Sequence, residues 1–121
     1  MLNRKQKGKL SEDLAVEFLI QHGLQVVARN VRCPLGEIDL VARDGKTLVF
    51  IEVKSRFAAG YGAPQELVSR SKQRRLTRLA HWYLKQHRLE NQPARFDVVA
   101  ISWQDAKPEI AWIRNAFDAC D

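Results

Sequence analysis

A single α/β domain with a mixed sheet is the fold class this sequence predicts. Three observations carry that expectation. Two segments repeat apolar residues at helical spacing, Asp44-Gly45 joins two β-rich runs as a hairpin signal, and a later β-rich run follows the second helix. The length of 121 residues suits one domain spanning 1–121, and 45% hydrophobic with 28% charged residues excludes wholesale disorder. Apolar runs such as Leu48 to Ile51 are far too short to cross a membrane. The first residues hold no apolar, signal-like segment. Cys33 and Cys120 lack metal-ligand spacing and are too few for a disulfide framework. A cytoplasmic protein with free thiols and no membrane partner is expected.

The elements follow in chain order. Leu10, Leu14, Ala15, Phe18 and Leu19 form a helical stripe, with Ser11 as the expected N-cap, Glu12 and Asp13 in the first turn, and Gly23 as the stop. Residues 1–9 are then a basic N-terminal arm. Leu24 to Val31 reads as a strand around the β-branched pair Val26-Val27, and Pro34 with Gly36 supplies a turn. Glu37 to Ala42 is the next strand, ending at the Asp44-Gly45 turn. Thr47 to Lys54 reads as a central strand buried on both faces over most of its length. A Gly-, Ala- and Pro-rich loop occupies Phe57 to Pro64. Leu67, Leu76, Leu79, Ala80, Tyr83 and Leu84 mark a second helix over Ser69 to His87. Phe96 to Trp103 is another strand, and Ile110 to Ile113 a short one able to pair with it. The predicted order is α-β-β-β-α-β with a short C-terminal addition.

Charge is unevenly spread. Lys and Arg number 20 against 14 Asp and Glu, a net +6, which favours polyanionic partners and in particular nucleic acid. Arg4, Lys5, Lys7 and Lys9 have no acidic residue among them. Neither do Arg70, Lys72, Arg74, Arg75, Arg78, Lys85 and Arg88. Phosphate contact is expected from Lys72, Arg75 and Arg78 on the second helix, from Lys5 and Lys7 on the arm, and from Arg56 beyond the central strand. Solvation of an exposed helix face is the competing account.

The densest chemistry lies in Phe50-Ile51-Glu52-Val53-Lys54. Alternation along a strand puts Glu52 and Lys54 on one face, and charged groups at the end of an apolar central strand need partners or a purpose. Counting outward from the hairpin turn brings Asp39 close to the level of Glu52. Two hard oxygen ligands with open coordination positions suit Mg²⁺ or Mn²⁺ beside a phosphate, and the Val53 carbonyl is a further ligand in reach. Lys54 is then placed to orient the attacking water or stabilise developing charge. The alternative is a buried ion-pair network of Asp39, Glu52 and Lys54 that supports the sheet. No phosphate-cradling glycine motif, zinc spacing or nucleophile elbow is present.

Asp39, followed after a hairpin by Glu52-Val53-Lys54, resembles the PD-(D/E)XK signature of restriction-endonuclease-like nucleases. The wider text is Arg29-Asn30-Val31-Arg32, Gly36-Glu37-Ile38-Asp39-Leu40-Val41-Ala42 and Leu48 through Arg56. With Arg95-Phe96-Asp97-Val98-Val99 and Ala116-Phe117, it resembles the YraN family over nearly the whole chain. That resemblance implies a restriction-endonuclease-like αβββαβ core and a likeness to archaeal Holliday-junction resolvases. It also implies that Glu12, on the first helix, joins the metal site, whereas complementing the helix dipole is the plainer role for it. Two departures stand out: Ser11 where a glycine is common before Glu12, and Ile38 where the signature has its proline.

Two functions follow from different classes. One is a Mg²⁺- or Mn²⁺-dependent DNA endonuclease acting on branched or recombination-related DNA, with Glu12, Asp39, Glu52 and Lys54 as its catalytic set. A junction resolvase makes two cuts, so that version predicts a homodimer. The other is a DNA-binding accessory protein that keeps the fold without turnover.

Overall fold

The computed structural model describes residues 2–57, 68–103 and 107–120. The expected loop over Phe57 to Pro64 lies, after Phe57 itself, outside these residues, as does Leu67. Helix α1 spans Arg4–Gln21, and strands β1 (Gln25–Cys33), β2 (Gly36–Asp44) and β3 (Thr47–Arg56) follow. Helix α2 is Arg70–Gln86, then come β4 (Ala94–Ser102) and β5 (Glu109–Phe117). The five strands form one sheet in the order β1-β2-β3-β4-β5. Every neighbouring pair is antiparallel except β3 and β4, which run parallel and are joined through α2. This is the expected αβββαβ core with a mixed sheet, and its final strand is longer than the four residues read from sequence.

The two helices cover opposite faces. Ala15 and Leu19 of α1 pack with Leu40, Ala42, Val49, Ile51, Val99 and Ile101. Leu76, Leu79 and Tyr83 of α2 pack with Val41, Leu48, Phe50 and Val98. Strand β3 is thus sandwiched, with even residues toward α2 and odd ones toward α1, as its continuous apolar run requires.

Helix α1 corrects one expectation. It starts at Arg4, because Asn3 and Gln6 form a capping box: Gln6 N–H donates to Asn3 Oδ1 at 2.8 Å, and Asn3 N–H donates to Gln6 Oε1 at 2.9 Å. Ser11 is therefore no N-cap. It lies inside the helix with 0% exposure, accepting hydrogen bonds from Trp103 Nε1–H and Ser55 Oγ–H, each at 2.7 Å. The basic residues of 1–9 occupy the first turns of α1, where cations oppose the helix dipole. Aromatic faces offset part of that cost, with Arg4 5.0 Å from the Phe57 ring centre and Lys7 5.7 Å from that of Trp103.

The predicted stop holds. Gly23 has φ +92°, its N–H donates to Ile20 O at 3.1 Å, and Leu24 N–H donates to Leu19 O at 3.0 Å, a Schellman closure. The β2–β3 turn is also as expected, with Gly45 at φ +63° and Asp44 paired to Thr47. Ser69 caps α2, accepting from Lys72 N–H at 3.2 Å. No helix among the described residues is long and apolar enough to cross a membrane.

A buried polar knot pins β4 to β5. Asp97, 1% exposed, accepts from Trp112 Nε1–H at 2.9 Å, Asn115 N–H at 2.9 Å and Arg95 Nε–H at 3.0 Å. Arg95 also donates to Asp44 at 2.8 Å, tying the hairpin to the same group. Asp97 thus acts as the structural acceptor of this knot.

Candidate active site

The site begins where β2 and β3 part. Their register runs from Asp44 opposite Thr47 to Leu40 opposite Ile51, and one more step would bring Asp39 opposite Glu52. The ladder ends there instead. Ile38 sits in the α2-side core and Leu40 in the α1-side core, although a regular strand would put residues two apart on one face. The strand therefore changes face at Asp39. Its β1 neighbour bends at the same level, since Asn30, between the paired residues Arg29 and Val31, has φ +51°. Asp39 Oδ2 accepts from Val53 N–H at 2.9 Å, so the side chain satisfies a β3 backbone donor at the ladder's end.

Glu52 occupies the even, α2-facing side of β3 and is 6% exposed. Lys72, from the first turn of α2, makes an ion pair with its Oε2. That oxygen is fully buried and accepts no well-directed hydrogen bond. The Asp39 carboxyl lies within hydrogen-bonding reach of Glu52, and its pKa is pushed up from 3.8 to about 8. Burial is the largest cause, followed by the Glu52 carboxylate, while the Val53 N–H opposes the shift and the Glu12 charge adds to it. Two carboxyls packed in this way favour one shared proton, or a cation that replaces it.

Glu12 stands close enough for its charge to bear on Asp39, but its nearest cation is Arg29 Nη2 at 3.6 Å. Arg29 itself donates to Asp13 at 2.6 Å. Among the described residues, no group of three His, Cys, Asp or Glu side chains is gathered closely enough to hold a metal. The structure thus brings together Asp39 and Glu52 as a pair, with Glu12 approaching from α1.

Lys54 is half-buried and follows Glu52 on the α2-facing side by strand alternation. Val53 is half-buried, with its N–H held by Asp39. Arg56 is half-buried at the end of β3, where its carbonyl accepts from Trp103 N–H at 2.7 Å. Lys5 is exposed on α1 and Lys7 is half-buried against Trp103. Arg75 and Arg78 are exposed on α2. Gln65, which follows the Gly-, Ala- and Pro-rich stretch and is expected either to help position substrate or to serve as a plain surface residue, lies outside the described residues.

Lys72 holds a position that sequence reasoning missed, since it was expected among the outward phosphate contacts. The signal was in the spacing: Lys72 precedes Leu76 by four and so extends the buried stripe of Leu76, Leu79, Ala80 and Tyr83 by one turn. The Ser11–Ser55–Trp103 cluster, which ties α1 to the sheet one residue before Glu12, was also unforeseen. A serine next to two acidic residues gives the same text whether it caps a helix or lies within one.

Comparison with known proteins finds relatives that match over nearly the whole of both sequences. The model of the uncharacterised protein family UPF0102 matches residues 11–101. A UPF0102 protein of Desulfosudis oleivorans is 47% identical over 98% of this chain and 96% of its own length. Others from Lachnoclostridium phytofermentans and Geobacter metallireducens are 48% and 45% identical, covering 98% and 97% of this chain and 98% and 96% of their own. Among solved structures, Pyrococcus furiosus SfsA in complex with Ca²⁺ matches with a TM-score of 0.39 and 14% identity. The match covers 91% of this chain and 61% of SfsA, a likeness too loose to place any residue.

Proposed function

We propose that this chain, which belongs to the uncharacterised protein family UPF0102, also written YraN, is a metal-dependent endonuclease that hydrolyses phosphodiester bonds in DNA. Branched or recombination-related DNA is the substrate class, the cytoplasm the location, and a homodimer with two sites the form suited to paired cuts. The observation that carries the reading is the pair of half-buried Asp39 and buried Glu52, brought together where β2 leaves β3.

The donor set fits a hard divalent cation. It offers two carboxylates in contact, a buried Glu52 oxygen without a directed hydrogen bond, and Glu12 within electrostatic reach. Asp39 and Glu52 would hold Mg²⁺ or Mn²⁺, with the Val53 carbonyl and Glu12 as supplementary donors. Such an ion supplies Lewis-acid polarisation of the phosphoryl group and an activated water at neutral pH. The Val53 N–H fixes the Asp39 carboxyl, so one donor is oriented before any ligand arrives. Lys54 orients the attacking water and stabilises charge growing on the phosphate. Lys72 is the counter-ion of Glu52, and it would have to share or yield that carboxylate if a divalent cation were held there.

That ion pair also favours a second reading. A carboxylate already neutralised by lysine needs no metal, which suits a DNA-binding accessory protein that has kept the fold. The two are separated by incubating labelled single-stranded, duplex, flap and four-way-junction DNA with Mg²⁺ or Mn²⁺. Asp39→Asn and Glu52→Gln proteins, checked for folding, run beside the wild type. Metal-dependent cutting that both substitutions abolish is the expected result. Tight binding without cutting on every substrate and with either metal would install the accessory reading.

A further inference from the structure

A second basic feature lies outside the carboxylate site. Between the β1–β2 hairpin tip and α2 is a surface cleft of about 350 Å³ lined by Leu35, Ser71, Arg74, Arg75 and Arg78. Three guanidiniums and a hydroxyl meet there, and the described residues bring no carboxylate to its lining. Arg74 and Arg78 are one helical turn apart, about 6 Å along the axis. That rise matches about two nucleotides of one strand at 3.4 Å each. The row is continuous with the candidate site, because Lys72, Arg75 and Arg78 follow one another at i, i+3 and i+6, and Lys72 is the residue that touches Glu52.

Leu35 makes the cleft more than a charged surface. It is 58% exposed, the highest value among the exposed large apolar residues of the described chain. A lone exposed leucine says little by itself. This one stands at a turn held between Pro34 and Gly36, whose φ of +150° suits glycine, and Gly36 lies against the side chains of Leu79 and Arg75. An apolar tip that shares its cleft with three arginines is poorly suited to an apolar protein partner. It is well suited to nucleic acid, where cations hold phosphates while an apolar wedge enters an opened base step.

We propose that this cleft is a strand-binding subsite in which Arg74, Arg75 and Arg78 hold DNA phosphates and Leu35 packs on a base exposed at a branch or distorted step. The inference rests on reading the chain as a DNA-acting protein and adds where distorted DNA is told from regular duplex: at Leu35 and the arginines beside it.

The test measures binding by fluorescence anisotropy in EDTA, so that cleavage plays no part. The full chain is titrated with a labelled four-way junction and with linear duplex of the same composition, across a salt series. Leu35→Ser is expected to weaken junction binding about tenfold, the worth of burying much of a leucine side chain, and to leave linear duplex within about twofold. Arg74→Gln with Arg78→Gln is expected to weaken both and to reduce the salt slope by about two, at roughly 0.9 for each phosphate no longer neutralised. All three side chains are exposed, so circular dichroism should show an unaltered fold. Equal effects of Leu35→Ser on both DNAs, no effect on either, an unchanged salt slope in the arginine variant, or preference for an RNA junction would each overturn the proposal. Junction preference that depends on Leu35 in a protein that cuts nothing would uphold the subsite while refuting the nuclease reading.

Discussion

Ser11→Ala tests how α1 is seated beside the candidate site. Ser11 is fully buried and its Oγ accepts from both Trp103 Nε1–H and Ser55 Oγ–H. Removing it strands the indole N–H of Trp103, itself only 9% exposed, while half-buried Ser55 can turn to water. An orphaned buried donor costs about 1–3 kcal/mol, and the better helix propensity of alanine returns about half a kcal/mol. The expected net loss is about 1–2 kcal/mol. At about 2.1 cal/mol/K per residue of unfolding entropy, a chain of 121 residues has a Tm lower by roughly 4–8 °C. Urea denaturation and thermal melts measure it. Combining Ser11→Ala with Trp103→Phe and completing the double-mutant cycle isolates the contact, with a coupling of about 1 kcal/mol expected. Ser11→Asp sharpens the contrast. Aspartate is a good N-cap and would be tolerated if the helix began at Ser11, whereas a carboxylate within the helix at 0% exposure costs several kcal/mol. A tolerated Ser11→Asp, or a cycle with no coupling, would refute the seating described.

Three further expectations bear on the buried charges. Asp39 keeps its proton up to about pH 8 in the folded protein but releases it near 3.8 when unfolded. The folded state therefore holds more protons across that window, and in EDTA Tm should fall as pH rises from 4 through 8. Asp39→Asn should flatten the profile, and an equally steep one in that variant would assign the effect elsewhere. Asp97→Ala leaves Arg95, Trp112 and the Asn115 N–H without their shared acceptor and should cost about 3–5 kcal/mol in urea titrations. A loss below about 1 kcal/mol would mean the knot is dispensable. Lys72→Met should destabilise the metal-free protein by about 1–2 kcal/mol, because it leaves Glu52 buried without a counter-ion. Mn²⁺ should then raise Tm more in the variant than in the wild type. An equal rise in both would mean lysine and metal do not compete.

The sequence was most legible where one interaction dictated the pattern. Alternation across β3 assigned Glu52 and Lys54 to one face, and the Asp44-Gly45 turn set a register that carries Asp39 to the level of Glu52. Ser69 and Gly23 marked helix ends because their chemistry is local. Legibility failed where two remote segments shared one group. The polar text Asn3-Arg4-Lys5-Gln6 looked like an arm, since nothing nearby announces that Phe57 and Trp103 will receive the cations of this first stretch. The extent of β5 was hidden for the same reason. Residues Glu109 to Phe117 show no regular alternation of polar and apolar, and they gain strand structure by pairing with β4 and binding Asp97.

The deepest of these non-local facts is electrostatic. A chain with net charge +6 withdraws a carboxyl pair from solvent, Glu52 fully and Asp39 in part, and then supplies its own cation, Lys72, from the helix that also carries Arg75 and Arg78. The metal-free pair is not left uncompensated: Asp39 is pushed toward its neutral form and Glu52 is matched by lysine. A divalent ion held by the pair would take the place of the Asp39 proton and compete with the Lys72 ammonium, so binding should release protons on the acidic side of about pH 8. Lys72, if freed in this way, would stand at the head of the arginine row, beside a DNA strand bound as proposed in the cleft. Metal and DNA should accordingly bind with positive coupling. Junction affinity in non-hydrolytic Ca²⁺ is expected to exceed that in EDTA, and Lys72→Met should shrink the difference. Equal affinity in the two buffers, for a protein shown by calorimetry to bind Ca²⁺, would uncouple lysine displacement from DNA capture.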